Sequence, residues 1–162
     1  MKVFFSICLL VVVAFLGILI GIIIGKRKNA YKILNERRTT DKYKGYYAML
    51  IQWLGILQNK SSIDKYFKEN KYEKIAIYGI GEVGKRLVCD LNNTEVFVKY
   101  AIDSTQQSSE KLRIYKLSEV SDDVDVVIVT PIFAFDKIKK DLKKIFTCPI
   151  VSLEEVIYDI EI

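Results

Sequence analysis

The chain has 162 residues, enough for one compact domain with accessory segments, and 51% of them are hydrophobic. It carries 25 Lys and Arg against 20 Asp and Glu, a net charge of +5, and no histidine. The missing imidazole removes the commonest general base, the commonest metal ligand and every His-based triad. Cys8, Cys89 and Cys148 lie far apart and are odd in number. They form neither a zinc spacing nor a disulfide framework, so no metal is expected, and Cys89 and Cys148 read as buried small hydrophobes.

The apolar excess sits at the start. From Val3 to Gly25 no residue is charged, and a helix of that length crosses a hydrocarbon core of about 30 Å. The stretch is too long for a signal-peptide core and ends in Ile-Gly-Lys-Arg-Lys, which offers no cleavage site. Only Lys2 and the amino terminus precede it, whereas Lys26, Arg27, Lys28, Lys32, Arg37 and Arg38 follow. The positive-inside rule then predicts a single-pass anchor in the cell membrane with the C-terminal domain cytoplasmic. The basic flank pairs with anionic headgroups, so membrane lipid is the expected partner and nucleic acid is not needed to explain the charge. Gly17, Gly21 and Gly25 recur every four residues, a small-residue face that supports a homodimer.

Residues 1–28 are thus expected to be the anchor with its basic flank and 29–70 a helical linker, with 71–162 left as a separate domain. Within the linker, Thr39, Thr40 and Asp41 suggest a helix break with Asp41 as N-cap. From Tyr43 to Leu57 the residues Tyr43, Tyr46, Tyr47, Leu50, Leu54 and Leu57 share a helical face, widened by Met49, Ile51, Trp53 and Ile56. A helix this short cannot span a bilayer. Its apolar surface must go to the headgroup interface, to the following domain or a second copy, or to a protein partner. A short helix from Ile63 to about Glu69 follows, with Ser61 and Asp64 in capping-box positions and Asn70 at its end.

The informative stretch begins at Lys74. Ile75 to Tyr78 is a strand-type run, followed at once by Gly79-Ile80-Gly81-Glu82-Val83-Gly84 and an amphipathic helical pattern through Leu91. In this G-x-G-x-x-G order the first glycine permits the tight turn, the second leaves room for a pyrophosphate and the third lets helix and strand pack closely. The helix N-terminus offers amides and a positive dipole end to phosphate. A second strand, Val96 to Ile102, ends in Asp103, where an acidic residue meets adenosine ribose hydroxyls. A carboxylate there repels a 2′-phosphate, so NAD is expected over NADP.

Short strands at Arg113 to Tyr115, Val124 to Thr130 and Pro149 to Val151 complete the pattern. A helix from Phe133 to Phe146 turns Phe135, Ile138, Leu142 and Ile145 inward and its lysines to solvent. Ser152 with Glu155 caps a last helix near Tyr158. Strands alternating with helices predict an α/β fold: a five-stranded parallel Rossmann-like sheet in order 3-2-1-4-5, preceded by the transmembrane helix and helical linker. Gly79, Ile80, Gly81, Glu82, Val83, Gly84, Asp103 and Thr130 are the expected ligand-binding residues.

Gln52-Trp53-Leu54, the run from Lys74 to Gly84, Tyr100-Ala101-Ile102-Asp103, Val126 to Pro131 and Ile150 to Glu155 together resemble a family of small bacterial Rossmann-like domains found among polysaccharide-biosynthesis proteins. The loop is also similar to that of the N-terminal domain of sugar acyltransferases and of the nucleotide-sugar epimerase superfamily. The resemblance implies binding of NAD(P), a nucleotide-sugar or a related nucleotide at Gly79, Gly81, Gly84 and Asp103, and no particular reaction. No tyrosine has a lysine four positions later, so the Tyr-x-x-x-Lys pair of the epimerases and short-chain dehydrogenases is absent. No catalytic residue is therefore assigned, and Tyr78, Lys85, Thr130 and Asp103 are the only nearby proton carriers. The expected role is a membrane-tethered nucleotide-binding accessory or regulatory protein. The alternatives are an unliganded scaffold for protein contacts and a minimal sugar-nucleotide-modifying enzyme.

Overall fold

The computed structural model describes residues 2–105 and 112–161. The chain divides into two compact units, Met1–Lys44 and Gly45–Ile162. The first helix, α1 (Lys2–Gln58), supplies the first unit and opens the second.

In the first unit α1 runs through residues 39–41 without the expected break at Asp41. Thr39 and Thr40 donate their hydroxyls to the carbonyls of Asn35 and Glu36, both at 2.9 Å, so these residues are satisfied inside the helix rather than capping a new one. Gly17, Gly21 and Gly25 are exposed, and an added Cβ at any of them meets nothing within 4 Å. Among the described residues no helix is long and apolar enough to cross a membrane. The side chains at 1–16, 18–20 and 22, on which the expected span rests and which include Cys8, lie outside the described residues.

The second unit is an α/β domain built on five parallel strands in the order β3-β2-β1-β4-β5. They are β1 (Lys74–Tyr78), β2 (Phe97–Ile102), β3 (Ile114–Tyr115), β4 (Val126–Val129) and β5 (Ile150–Ser152), with helices α2 (Asp64–Glu69), α3 (Glu82–Leu91), α4 (Phe135–Leu142) and α5 (Leu153–Asp159). The order is the expected one, and each strand lies within two residues of its expected bounds. β4 is buried along its whole length, as its unbroken Val-Val-Ile-Val run requires of a central parallel strand.

Strand alternation divides the core. Ile75, Ile77, Ala101, Val126, Ile128 and Val151 face one layer, which they share with Met49, Trp53 and Ile56 of α1 and with residues of α2, α3 and α5. Ala76, Tyr100, Ile102, Val127, Val129 and Ile150 face the other, against Leu142 of α4 and Phe146. The 45–58 stretch of α1 therefore belongs to the core of the α/β unit. Trp53 Nε1 donates to Asp90 Oδ2 at 2.8 Å, pinning α1 to α3.

One cap differs from expectation and two stand where they were expected. The N-cap of α2 is Ile63, with no side-chain cap bond, so Ser61 and Asp64 do not form a capping box. Asp64 instead pairs with Lys68 at 2.9 Å. Ser152 caps α5 by accepting from the Glu154 amide at 3.2 Å. Asn70 closes α2 with its side-chain amide on the Tyr66 carbonyl.

Candidate functional site

The glycine loop leaves β1 at its C-terminal end, where the strand order reverses between β1 and β4 and open α/β sheets form their ligand crevices. Gly79 N–H donates to the Ile102 carbonyl at 2.9 Å, so the chain is still tied to β2 as it turns. Gly79 has φ +89°, a left-handed conformation that disfavours a side chain. A Cβ there would also come within 2.8 Å of Thr130 Oγ1 and of Pro131 Cδ. Gly84 is required for a different reason: a Cβ would stand 2.2 Å from the Gly79 carbonyl oxygen. The first turn of α3 thus rests directly on the loop, the close helix–strand packing expected of the third glycine.

Gly81 differs from both. Its φ is −63°, which any residue adopts, and a Cβ would meet nothing within 4 Å. It is the N-cap of α3, and no side chain caps that helix end. The amides of the first turn have no acceptor within the helix itself. Glu82 and Val83 form that turn beside Gly84. The Glu82 carboxylate is highly exposed and paired with Lys85 at 3.1 Å.

Ile80 and Asp103 meet across the loop. The Ile80 side chain is buried in the core, and its amide donates to Asp103 Oδ2 at 2.9 Å. Asp103 Oδ1 accepts from both the amide and the hydroxyl of Thr105, each at 2.8 Å. The carboxylate stands at the end of β2 where the sequence puts it, and it already holds the loop.

Thr130 is only 4% exposed. Its hydroxyl donates to the Gly79 carbonyl at 2.6 Å, which makes it a brace for the loop from the β4 side. Tyr46 of α1 donates its hydroxyl to the Thr130 carbonyl at 3.2 Å, and burial raises its pKa. The Tyr46 ring packs edge-on against Phe133, whose ring also lies over Gly45 so closely that a Cβ there would be 2.7 Å away. Sequence reasoning missed this chain of contacts from Gly45 and Tyr46 through Phe133 and Thr130 to Gly79. Its one signal was a glycine within the helix, at the head of the apolar run from Tyr46 to Leu57, which normally costs about 1 kcal/mol and so has a packing reason.

Of the expected ligand-binding residues, Gly79, Ile80, Gly81, Glu82, Val83, Gly84 and Asp103 gather at one end of β1 and β2, and Thr130 stands behind them. Of the remaining proton carriers, Lys85 is paired with Glu82 and Tyr78 is half-buried. Cys89 was expected to be buried and is exposed, because it falls on the outer face of α3 whereas Leu87 and Leu91 face inward. Cys148 is half-buried, and burial with Asp122 nearby pushes its thiol up to about 11.

No curated protein matches the chain. No solved structure matches it. The model of a family described as C2185-like, N-terminal, matches residues 71–148, which takes in β1 through α4 and ends before β5, and over that stretch the chain is similar to that family.

Proposed function

We propose that this chain is a membrane-anchored accessory or regulatory protein whose Rossmann-like domain binds a nucleotide, NAD or a nucleotide-sugar, on the loop between β1 and α3. The domain sits on the cytoplasmic side, held by a single span between Val3 and Gly25, with a role in envelope polysaccharide assembly. The observation that carries the ligand reading is the contrast among the loop glycines. Gly79 and Gly84 are glycine because the fold has no room for a Cβ, whereas Gly81 has open space before it and ordinary backbone angles. A glycine without a packing reason, at the uncapped start of a ten-residue helix, suits the close approach of a phosphate. Asp103 stands within reach of the same loop to take a ribose hydroxyl, and its charge favours NAD over NADP.

One observation favours the second reading, an unliganded scaffold. Both Asp103 oxygens already accept hydrogen bonds from the protein, so the acidic residue has a structural task of its own.

The readings separate in a melting-shift screen of NAD, NADP, CoA and UDP-sugars against residues 45–162, a boundary that keeps Met49, Trp53 and Ile56 in the core. A saturable shift with NAD or a UDP-sugar supports the proposal; no shift with any of them at millimolar concentration leaves the scaffold. The anchor is tested separately. The full chain should stay in the membrane fraction through alkaline carbonate, and a C-terminal alkaline phosphatase fusion should be inactive. An active fusion reverses the orientation.

A further inference from the structure

α1 enters the α/β unit at Gly45, the first residue of that unit, and its inward side chains follow at Tyr46, Met49, Trp53 and Ile56. The last three end in the apolar layer. Tyr46 is half-buried at the head of the series, and its hydroxyl reaches the loop after β4.

The bond made there is not needed to satisfy its acceptor. The Thr130 carbonyl already takes the Ile132 amide at 2.9 Å, and the Tyr46 hydroxyl comes second at 3.2 Å. A phenylalanine would fill the same space and bring no polar atom that needs a partner. What the hydroxyl adds is a tie between two elements, and Thr130 carries it further. The Thr130 amide donates to the Tyr78 carbonyl at 3.0 Å, and its hydroxyl donates to the Gly79 carbonyl at 2.6 Å. Tyr78 ends β1, and Gly79 makes the left-handed turn into the glycine loop. One buried residue is thus held by α1 at its carbonyl and holds the glycine loop with its amide and hydroxyl. A second side-chain bond from this stretch, Trp53 to Asp90, falls at the C-terminal end of α3, away from the loop.

We infer that Tyr46 is a positioning residue for the glycine loop, acting through Thr130, so that docking of α1 and occupancy of the loop are linked. A docked helix and a bound ligand favour the same turned loop, and such a coupling acts equally in both directions. Its regulatory sense rests on the nucleotide reading, whereas the coupling of helix to loop does not.

The test is hydrogen exchange of the full chain in detergent micelles, read on peptides covering residues 79–84, where the Gly79 and Ile80 amides are hydrogen-bonded. Tyr46→Phe removes the hydroxyl and keeps the ring. It should speed exchange there about fivefold, the scale of one lost hydrogen bond. Thr130→Val should do at least as much, and the double variant no more than Thr130→Val alone, since both break one line of contacts. Asp90→Ala is the control for stability: it frees Trp53 from α3 and should leave exchange at 79–84 as in the wild type. Unchanged exchange in Tyr46→Phe overturns the inference. So does an equal rise in Asp90→Ala, which marks a loss of overall stability, and so do additive effects in the double variant. NAD and a UDP-sugar, titrated into the same samples, report the site separately. Whichever the wild type binds should bind Tyr46→Phe about fivefold more weakly, and an unchanged affinity overturns the linkage. A wild type that binds neither ends the nucleotide reading, and the exchange result still decides the coupling.

Discussion

Two loops leave the sheet side by side at the point where the strand order reverses, and they are built in opposite ways. The loop after β1 reaches α3 through glycines and leaves an uncapped helix start with open space at Gly81. The loop after β4 is closed: Thr130 is buried, Pro131 lies against Gly79, and Phe133 lies over Gly45 and packs edge-on against Tyr46. The closed loop holds the open one in place through the bond from Thr130 to the Gly79 carbonyl. A glycine-rich segment is entropically costly to order, so a rigid brace beside it is what lets the open loop keep one conformation.

Substitutions at the contacts between the two loops should act on stability, and a substitution on the open side should act on binding alone. The largest effect is expected from Gly84→Ala, whose Cβ meets backbone that cannot step aside. It should cost about 3 kcal/mol, seen as a lower denaturation midpoint. Gly79→Ala should cost about 2 kcal/mol, combining left-handed strain with the contact on Pro131. If either variant melts like the wild type, the loop is not braced as described. Tyr46→Phe removes one hydrogen bond to the closed loop and should cost about 1 kcal/mol. Gly81→Ala should stay within about 0.5 kcal/mol of wild type, because nothing lies within 4 Å of the new methyl. A large loss there would give Gly81 a packing role and erase the contrast. The smallest effect is chemical. Cys89 on the outer face of α3 should react with a maleimide well before Cys148, whose thiol burial holds at about 11 and therefore protonated at neutral pH. Equal rates would mean that the Cys148 side is more open than described.

The sheet was legible because its signals are local and periodic. The Ile75–Tyr78 run, the glycine spacing and the β-branched run before Thr130 each specify an element without help from elsewhere, and parallel connectivity then fixes the order. Elements whose fate depends on a distant partner were not. The helix of residues 45–58 is apolar nearly all round, so the sequence could not say that Met49, Trp53 and Ile56 turn inward while Leu50, Leu54 and Leu57 do not. Thr39 and Thr40 read as a break because their hydroxyls compete for backbone groups, yet here they bond within the helix and it continues. Asp103 was placed correctly by its spacing, but its bond to the Ile80 amide depends on how tightly the loop turns, which spacing does not report.

That bond makes Asp103→Ala an ambiguous probe, since it disturbs the loop as well as any ribose contact. Gly81→Val is the cleaner one. In a calorimetric titration of residues 45–162 with NAD and with a UDP-sugar, the account predicts saturable binding by the wild type to one of them. It predicts loss of that binding in Gly81→Val, with the melting temperature of the free protein nearly unchanged. Binding that survives the valine, or a wild type that binds neither ligand at millimolar concentration, would contradict the claim that the open loop holds a nucleotide.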